Sequence, residues 1–417
     1  MKNLLEIYNA KRSLFSGDLH FADYKNHSSD YMSVCVIIPA CDEVSTLFDT
    51  LDSIQASKKT AMQKKIDVSK LHTVIVVNNT KDSPLHIKEQ NQHLLKMLKD
   101  YGYAVYKKNE ISHTIFKYEQ DIAFDCAGDD CEMPNGQGVG WARKFGMDFA
   151  ILCKAQVLAC MDSDTLVSEN YVEELFRFEQ ICKNAKTEKH AVPCGAVMNF
   201  YHQKAENPHM QQAIDAYEFF IKHHSDCLKK TGTPYWLWAL GPTVVSSLEG
   251  YIASGGMNKR LAGEDFYFLQ SLIKLHVQQN SCSPNQDIEK CVQDFFILDC
   301  KVYPQARYSN RVLYGTGQKL LDVVSGKQTI DAYPDNVYDN ILEFLQLFLH
   351  TEGNPPVFFD AIQKKIPIVW DFLQQEKFVI LWEKMYRQNN CLKRRFIALH
   401  SWFDGLKILR FIHFFIR

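Results

Sequence analysis

Val157-Leu158-Ala159-Cys160-Met161-Asp162-Ser163-Asp164-Thr165 joins an apolar run to two carboxylates one residue apart. Val157 to Met161 reads as a buried strand. Alternate side chains of a strand point the same way, so Asp162 and Asp164 are expected to face one ligand where the strand runs out into a loop. Carboxylates so placed outline an oxygen-rich site for a hard divalent ion, magnesium or manganese, with positions left open for substrate phosphates. The plain alternative is a capped turn, in which Asp164 or Ser168 caps a helix beginning near Glu169. This stretch alone leaves both readings open, and the surrounding chain has to decide.

Working outward, the same strand-then-loop pattern recurs on the N-terminal side. Val34-Cys35-Val36-Ile37-Ile38 is a continuous apolar run of the kind found in strands buried on both faces of a parallel sheet. Pro39 ends it, Ala40-Cys41-Asp42-Glu43 turns, and Leu47, Phe48, Leu51 and Ile54 follow at helical spacing. Thr73 to Val77 repeats the strand, closed by Asn78-Asn79-Thr80-Lys81-Asp82, with Leu94 to Leu98 on the next helix. Tyr103 to Tyr106 makes a third strand and Val157 to Met161 a fourth. Strands alternating with helices predict an α/β fold with a doubly wound sheet, whose ligands bind at the carboxyl ends of the strands. That rule gathers Asp42, Glu43, Asn78, Asn79, Asp162 and Asp164 along one edge.

Residues 111–137 read as an acidic insertion between the third and fourth strands, carrying Asp121, Asp125, Asp129, Asp130 and Glu132 without a fixed ligand spacing. Gly138-Val139-Gly140-Trp141-Ala142-Arg143 then opens a helix that runs to about Lys154, with Arg143 in its first turn. Later strands are expected at Ala191 to Phe200, Thr243 to Ser247 and Phe296 to Tyr303. Ser254-Gly255-Gly256 leads through Gly263 to Glu264-Asp265 at the head of a helix with Phe266, Leu269, Leu272 and Ile273 on one side. Adjacent acids also suit a first helical turn for electrostatic reasons alone. Tyr303 to Arg311 offers Arg307 and Arg311 as grips for phosphate or acceptor, or as parts of a lid or surface loop.

From about Leu320 the chain turns helical, with helices expected at Ile341 to Leu349 and Phe372 to Tyr386. Phe396 to Arg417 reads as a basic amphipathic helix carrying Lys407, Arg410, His413 and Arg417, preceded by Lys393-Arg394-Arg395. It suits a membrane interface, or equally a seat on the protein's own core. The first 30 residues read as an arm without visible chemistry.

Charge and cysteine usage narrow the class. With 47 Lys and Arg against 49 Asp and Glu over 417 residues, no basic field points to nucleic acid. Thirteen scattered cysteines without a CxxC pair fit reduced thiols in the core better than disulfides or zinc. Without a long apolar run at the N-terminus or elsewhere, a cytoplasmic protein is expected, or one peripheral on the inner face of the membrane.

Together these stretches resemble the family-2 glycosyltransferases of the GT-A fold, from about Ser33 to Ile273. Pro39-Ala40-Cys41-Asp42-Glu43 is similar to that family's Pro-Ala-x-Asn-Glu, Asn78-Asn79-Thr80 with Asp82 to its second-strand motif, and Gly138 to Lys144 to its Gly-x-x-x-Ala-Arg-Asn helix start. Asp162 and Asp164 match its Asp-x-Asp motif, and Glu264-Asp265 its Glu-Asp after a Gly-Gly turn. The resemblance implies a nucleotide-sugar pocket lined by Pro39, Glu43, Asn79, Arg143, Asp162 and Ser163. It also implies Mn2+ or Mg2+ on Asp162 and Asp164, and catalysis at Asp265 with Glu264 beside it. A UDP-sugar is the favoured donor, although Cys41 replaces a frequent aromatic and Asn79 a frequent acid. The absence of Gln-x-x-Arg-Trp after Glu264-Asp265 disfavours a processive polymer synthase. Residues 31–320 would form the catalytic domain, with 31–167 its nucleotide-sugar half and 168–320 its acceptor half, followed by a helical region over 321–417. The implied reaction is inverting transfer to a sugar, lipid-linked or small-molecule acceptor, with peripheral membrane contact through 393–417. Two rival readings are a non-catalytic nucleotide-sugar-binding or membrane-surface scaffold and a sugar nucleotidyltransferase. The acid pairs argue against the first and an acidic loop after the first strand against the second.

Overall fold

A computed structural model of the chain describes residues 2–15, 32–110, 121–281, 295–307, 316–327 and 329–417. The chain divides into two compact units, each discontinuous in sequence: residues 1–214, 239–272 and 296–327 form one, and residues 215–238, 273–295 and 328–417 the other.

The first unit holds a nine-stranded sheet of order β3-β4-β2-β1-β5-β8-β7-β9-β6. Its strands are β1 Val34–Ala40, β2 Leu71–Asn78, β3 Ala104–Lys107, β4 Ile122–Cys126, β5 Val157–Cys160, β6 Thr165–Val167, β7 Gly195–Phe200, β8 Val244–Ser247 and β9 Phe296–Pro304. β1 lies at the centre of the parallel half, with Val34 opposite both Leu71 of β2 and Val157 of β5. Every residue of β1 is buried, as a strand covered on both faces requires. Beyond β5 the pairing changes: β8 runs antiparallel to both β5 and β7, and β6 antiparallel to β9. A doubly wound mixed sheet with a helical C-terminal region is therefore the architecture, in the α/β class expected from the sequence.

The helices of this unit are α1 Lys2–Lys11, α2 Leu47–Gln63, α3 Leu85–Tyr101, α4 Val139–Leu152, α5 Tyr171–Thr187, α7 Leu248–Ser254 and α9 Thr316–Val324, while α6 Pro208–Lys230 and α8 Glu264–Ser281 each begin in this unit and end in the other. Helix α4 is buried on nearly all sides. It lies close on the sheet because Gly146 faces Ile37: a Cβ there would come within 2.6 Å of the Ile37 methyl.

Two parts of the sheet depart from expectation. Within the expected acidic insertion, residues 122–126 are β4, a sheet strand paired with both β2 and β3. Its Ile122-Ala123-Phe124 core is short and flanked by acids, which hid it. Those acids are spent on backbone: Asp121 accepts from Thr73 N (2.7 Å), and Asp125 from the N–H groups of Ala127 (2.9 Å) and Gly128 (2.7 Å). The remainder of that segment, residues 111–120, lies outside the described residues. The short β6, Thr165–Val167, directly after the acid pair, carries too few residues to show a period.

In the second unit, α10 Asp335–Thr351, α11 Pro355–Lys365, α12 Pro367–Gln375, α13 Phe378–Gln388, α14 Leu392–Trp402 and α15 Gly405–Ile416 pack around aromatic side chains. Phe344, Phe348, Phe358 and Trp382 are fully buried, and Trp382 Nε1 donates to Gly353 O at 2.8 Å. The single helix expected over Phe372 to Tyr386 is two, broken where Lys377 takes a left-handed φ of 56°. The single tail helix is likewise two: Asp404 caps α15 by accepting from Lys407 N at 3.0 Å. Ile408, Phe411 and Ile412 of α15 are buried, and Lys407 and Arg410 both pair with Glu376. The apolar face of the tail thus serves the interior of this unit. Among the described residues no helix is long and apolar enough to cross a membrane.

Candidate active site

β5 ends at Cys160, so Asp162 and Asp164 stand in the turn that follows rather than on the strand itself. Among the described residues each carboxylate meets a different arginine, Asp162 Arg143 and Asp164 Arg307. Thr50 of α2 braces this turn by donating to Ser163 O at 3.1 Å, and Ser163 is buried. Asp164 caps no helix; α5 starts only at Tyr171.

Arg143, the fifth residue of α4, is 3% exposed and bridges two distant parts of the chain, Asp162 after β5 and Glu264 at the head of α8. Its Nη1 donates to Glu264 Oε1 at 2.5 Å, and its Nη2 to Asp162 Oδ1. Backbone approach makes this possible. A Cβ at Gly140 would come within 2.6 Å of Asn258 O and 2.8 Å of Arg260 O, and one at Gly241 within 2.2 Å of Arg143 Nη2. Glycine at these points lets the loop before α8 and the chain before β8 close around the guanidinium. Asn258 Nδ2 donates to Glu264 O at 3.0 Å and holds the loop to the helix start.

Burial dominates the acid chemistry here. Desolvation pushes the Glu264 carboxyl up to about 7; Arg143 opposes this, while the neighbouring Asp265 and Asp162 charges add to it. Asp265 is partly exposed but crowded by protein atoms, and desolvation raises its carboxyl above the ordinary range against the pull of Arg143. Its Oδ1 accepts from Phe266 N at 2.7 Å. Asp162 and Glu264 more than offset the desolvation of Arg143 and hold its guanidinium charged.

A second ion cluster lies on the same turn. Arg307, just past β9, contacts Glu43 Oε1 at 2.5 Å and Asp164 Oδ2 at 2.7 Å. Glu43 also accepts from Thr46 Oγ1 at 2.6 Å. The Asp164 carbonyl accepts from Gln203 Nε2 (3.0 Å) and Gln305 N (3.1 Å), which fixes the turn against the ends of β7 and β9. Arg311, paired with Arg307 in the sequence reading, lies outside the described residues.

Asn79 is buried and its amide is committed: Nδ2 donates to Thr80 O and Ala127 O, both at 3.2 Å, and Oδ1 accepts from Asn91 at 2.8 Å. It shapes the end of β2. Asn91 of α3, fully buried, also donates to Asn78 O (3.2 Å) and accepts from Asp42 N (2.9 Å), tying the loops after β1 and β2 together. The sequence reading missed Asn91. Its signal was a polar residue on the apolar stripe that continues through Leu94, Leu95 and Leu98. Pro39 sits inside β1 opposite Val76.

The N-terminal arm also reaches this region. Tyr8 of α1 donates to Asp148 Oδ1 at 2.7 Å, as does Tyr251 of α7, and Lys144 pairs with the same fully buried carboxylate at 3.0 Å. Thus α4 is held from behind by Lys144 and Asp148 while Arg143 serves the site.

The donor set suits a hard divalent cation. Asp162 and Asp164 offer carboxylate oxygens, and each pairs with a guanidinium. Among the described residues the guanidiniums of Arg143 and Arg307 lie among the carboxyl groups of Glu43, Asp162, Asp164, Glu264 and Asp265. Among the described residues Arg143 Nε and Gln305 Oε1 are buried without a hydrogen-bond partner, one a donor and one an acceptor. A cleft of about 270 Å³ lined by His72, Tyr101, Tyr103 and Asp121 lies instead at the amino ends of β2 and β3, and holds none of these side chains.

No protein-family model matches the sequence, and no curated protein sequence does. Solved structures similar to the chain include residues 1–349 of S. aureus TarS in complex with UDP-GlcNAc, at TM-score 0.36 and 13% identity over 89% of this chain and 92% of that one. A second structure of the same TarS fragment aligns at TM-score 0.34 and 14% identity, with the same coverage. Likeness at these scores carries no argument about the site.

Proposed function

We propose that this chain is an inverting, nucleotide-sugar-dependent glycosyltransferase of the family-2, GT-A type, with a UDP-sugar as favoured donor. The observation that carries the reading is Arg143. Three sequence motifs, the glycine helix start, the Asp-x-Asp turn 19 residues from Arg143 and the Glu-Asp pair 121 residues from it, meet through its two ion pairs at the carboxyl edge of the sheet.

Asp162 and Asp164 would hold Mn2+ or Mg2+, which would supply positive charge against the departing diphosphate. Arg143 orients Asp162 and adds positive charge on the leaving-group side. Glu43 and Arg307 release each other as donor phosphate takes the guanidinium. Asp265 accepts the acceptor hydroxyl's proton while its oxygen bonds the anomeric carbon and the carbon–diphosphate bond breaks, a single displacement with inversion. A carboxylate whose proton affinity burial has raised is a better base than an ordinary one, and Asp265 meets that need. Glu264 stays on Arg143 and sets the start of α8 beside it.

The test is a thermal-shift or calorimetric screen of UDP-, GDP- and TDP-sugars with manganese, on wild type and Asp164→Ala. Stabilisation by one nucleotide class, dependent on metal and on Asp164, supports the reading. No metal-linked stabilisation by any donor overturns it in favour of a non-catalytic scaffold.

A further inference from the structure

In the helical unit, α6 carries His223 and Cys227 one helical turn apart, and Asp335 stands in the first turn of α10. Residues four apart share a helix face, so the imidazole and thiol point the same way. One ligand atom from each of the three side chains lies within 4.8 Å of the other two. His223 Nε2 is 3.6 Å from Cys227 Sγ and 3.9 Å from Asp335 Oδ1, and Sγ also lies 4.0 Å from Nδ1, alongside the imidazole ring. Phe219 stacks on the His223 ring at 5.4 Å and 8° and steadies its plane.

We propose that His223, Cys227 and Asp335 form a tetrahedral site for a zinc-class divalent ion, with its fourth position open to water. Zinc takes nitrogen at about 2.0–2.1 Å and thiolate sulfur at about 2.3 Å, which puts tetrahedral N···S and N···O edges at roughly 3.4–3.6 Å. The N···S separation already has that length and the N···O separation exceeds it by about half an ångström; binding also requires the imidazole to shift so that its Nε2 lone pair faces the ion. Asp335 is 87% exposed and free to close its distance. A mixed nitrogen, sulfur and oxygen set selects a borderline ion such as Zn2+ over the hard ions that carboxylates alone prefer. Because the ligands come from two helices, the ion would tie the start of α10 to α6. This inference stands apart from the glycosyltransferase reading and shares no residue with it.

The test uses the full-length protein cleared of metal and titrated with Co2+, whose tetrahedral thiolate complexes absorb strongly, followed by Zn2+ competition. One equivalent should bind with a thiolate-to-cobalt band that Zn2+ removes and Cys227→Ser abolishes. Asp335→Asn, on an exposed side chain that the fold does not depend on, should weaken zinc at least tenfold, since even changes beyond the ligands cost roughly 10–100-fold. Absence of the band in the wild type, its persistence in Cys227→Ser, or unchanged affinity in Asp335→Asn would each overturn the site. Sugar transfer is not the readout, so failure of the donor screen leaves this result unaffected.

Discussion

Arg143 and Arg307 both bridge two acids at the ends of the sheet strands, yet their surroundings differ. Arg143 is 3% exposed, and Glu264, one of its partners, is buried with it. Arg307 is 27% exposed and enters from the chain past β9. An enclosed guanidinium is part of the framework, since removing it strands a buried charge; one open to water can exchange a carboxylate for a ligand phosphate at small cost. The first cluster is therefore the fixed half of the site and the second the exchangeable half.

The largest expected effect is on the fixed side. Asp265→Asn should lower transfer about 10²–10⁴-fold while nucleotide binding by calorimetry is kept; wild-type turnover in this variant would remove Asp265 as the base. Next, Arg143→Met should destabilise the fold by about 3 kcal/mol in denaturant unfolding. Arg307→Met should cost about 1 kcal/mol or less and show mainly as weaker donor binding. Equal stability losses in the two variants would erase the distinction between the clusters. Gly241→Ala sharpens it further: the new methyl would stand 2.2 Å from Nη2 of the enclosed Arg143, so both the melting temperature and transfer should fall as the guanidinium is displaced from Asp162. The smallest effect is on pH. Glu264 is raised from 4.5 to about 7, so the folded state binds its proton more tightly than the unfolded chain; that contribution to stability is present below about pH 4.5 and lost as pH rises through about 7. Without divalent cation, the melting temperature should therefore fall across this window, and Glu264→Gln should flatten the fall.

Much of the fold was legible because buried parallel strands announce themselves. β1, β2 and β5 lie where their apolar runs stand, and β7, β8 and β9 close to their expected bounds. β4 was not, because three apolar residues between acids look like loop until the sheet claims them. The helix break at Lys377 was equally silent, since no glycine or proline stands there, whereas the one at Phe403-Asp404 was marked by the turn dipeptide Asp404-Gly405, which the reading of one tail helix passed over. For the site, residue types and order named Arg143, Asp162, Asp164, Glu264 and Asp265 as candidates. Their pairing was not readable: Asp162 and Asp164 look like one ligand set in the sequence, and the turn after β5 sends them to different arginines. Nor could sequence show that Asn79 is spent on Asn91 and two carbonyls.

By itself, then, the sequence determined the α/β class, the central strands and the acids at their carboxyl ends, because apolar periodicity and residue chemistry are local properties. Only the tertiary structure decided which charges meet, that Arg143 is enclosed and Arg307 open, and that His223 and Cys227 face Asp335 across two helices. Those outcomes depend on burial and on distances between residues remote in the chain, and no local pattern encodes them.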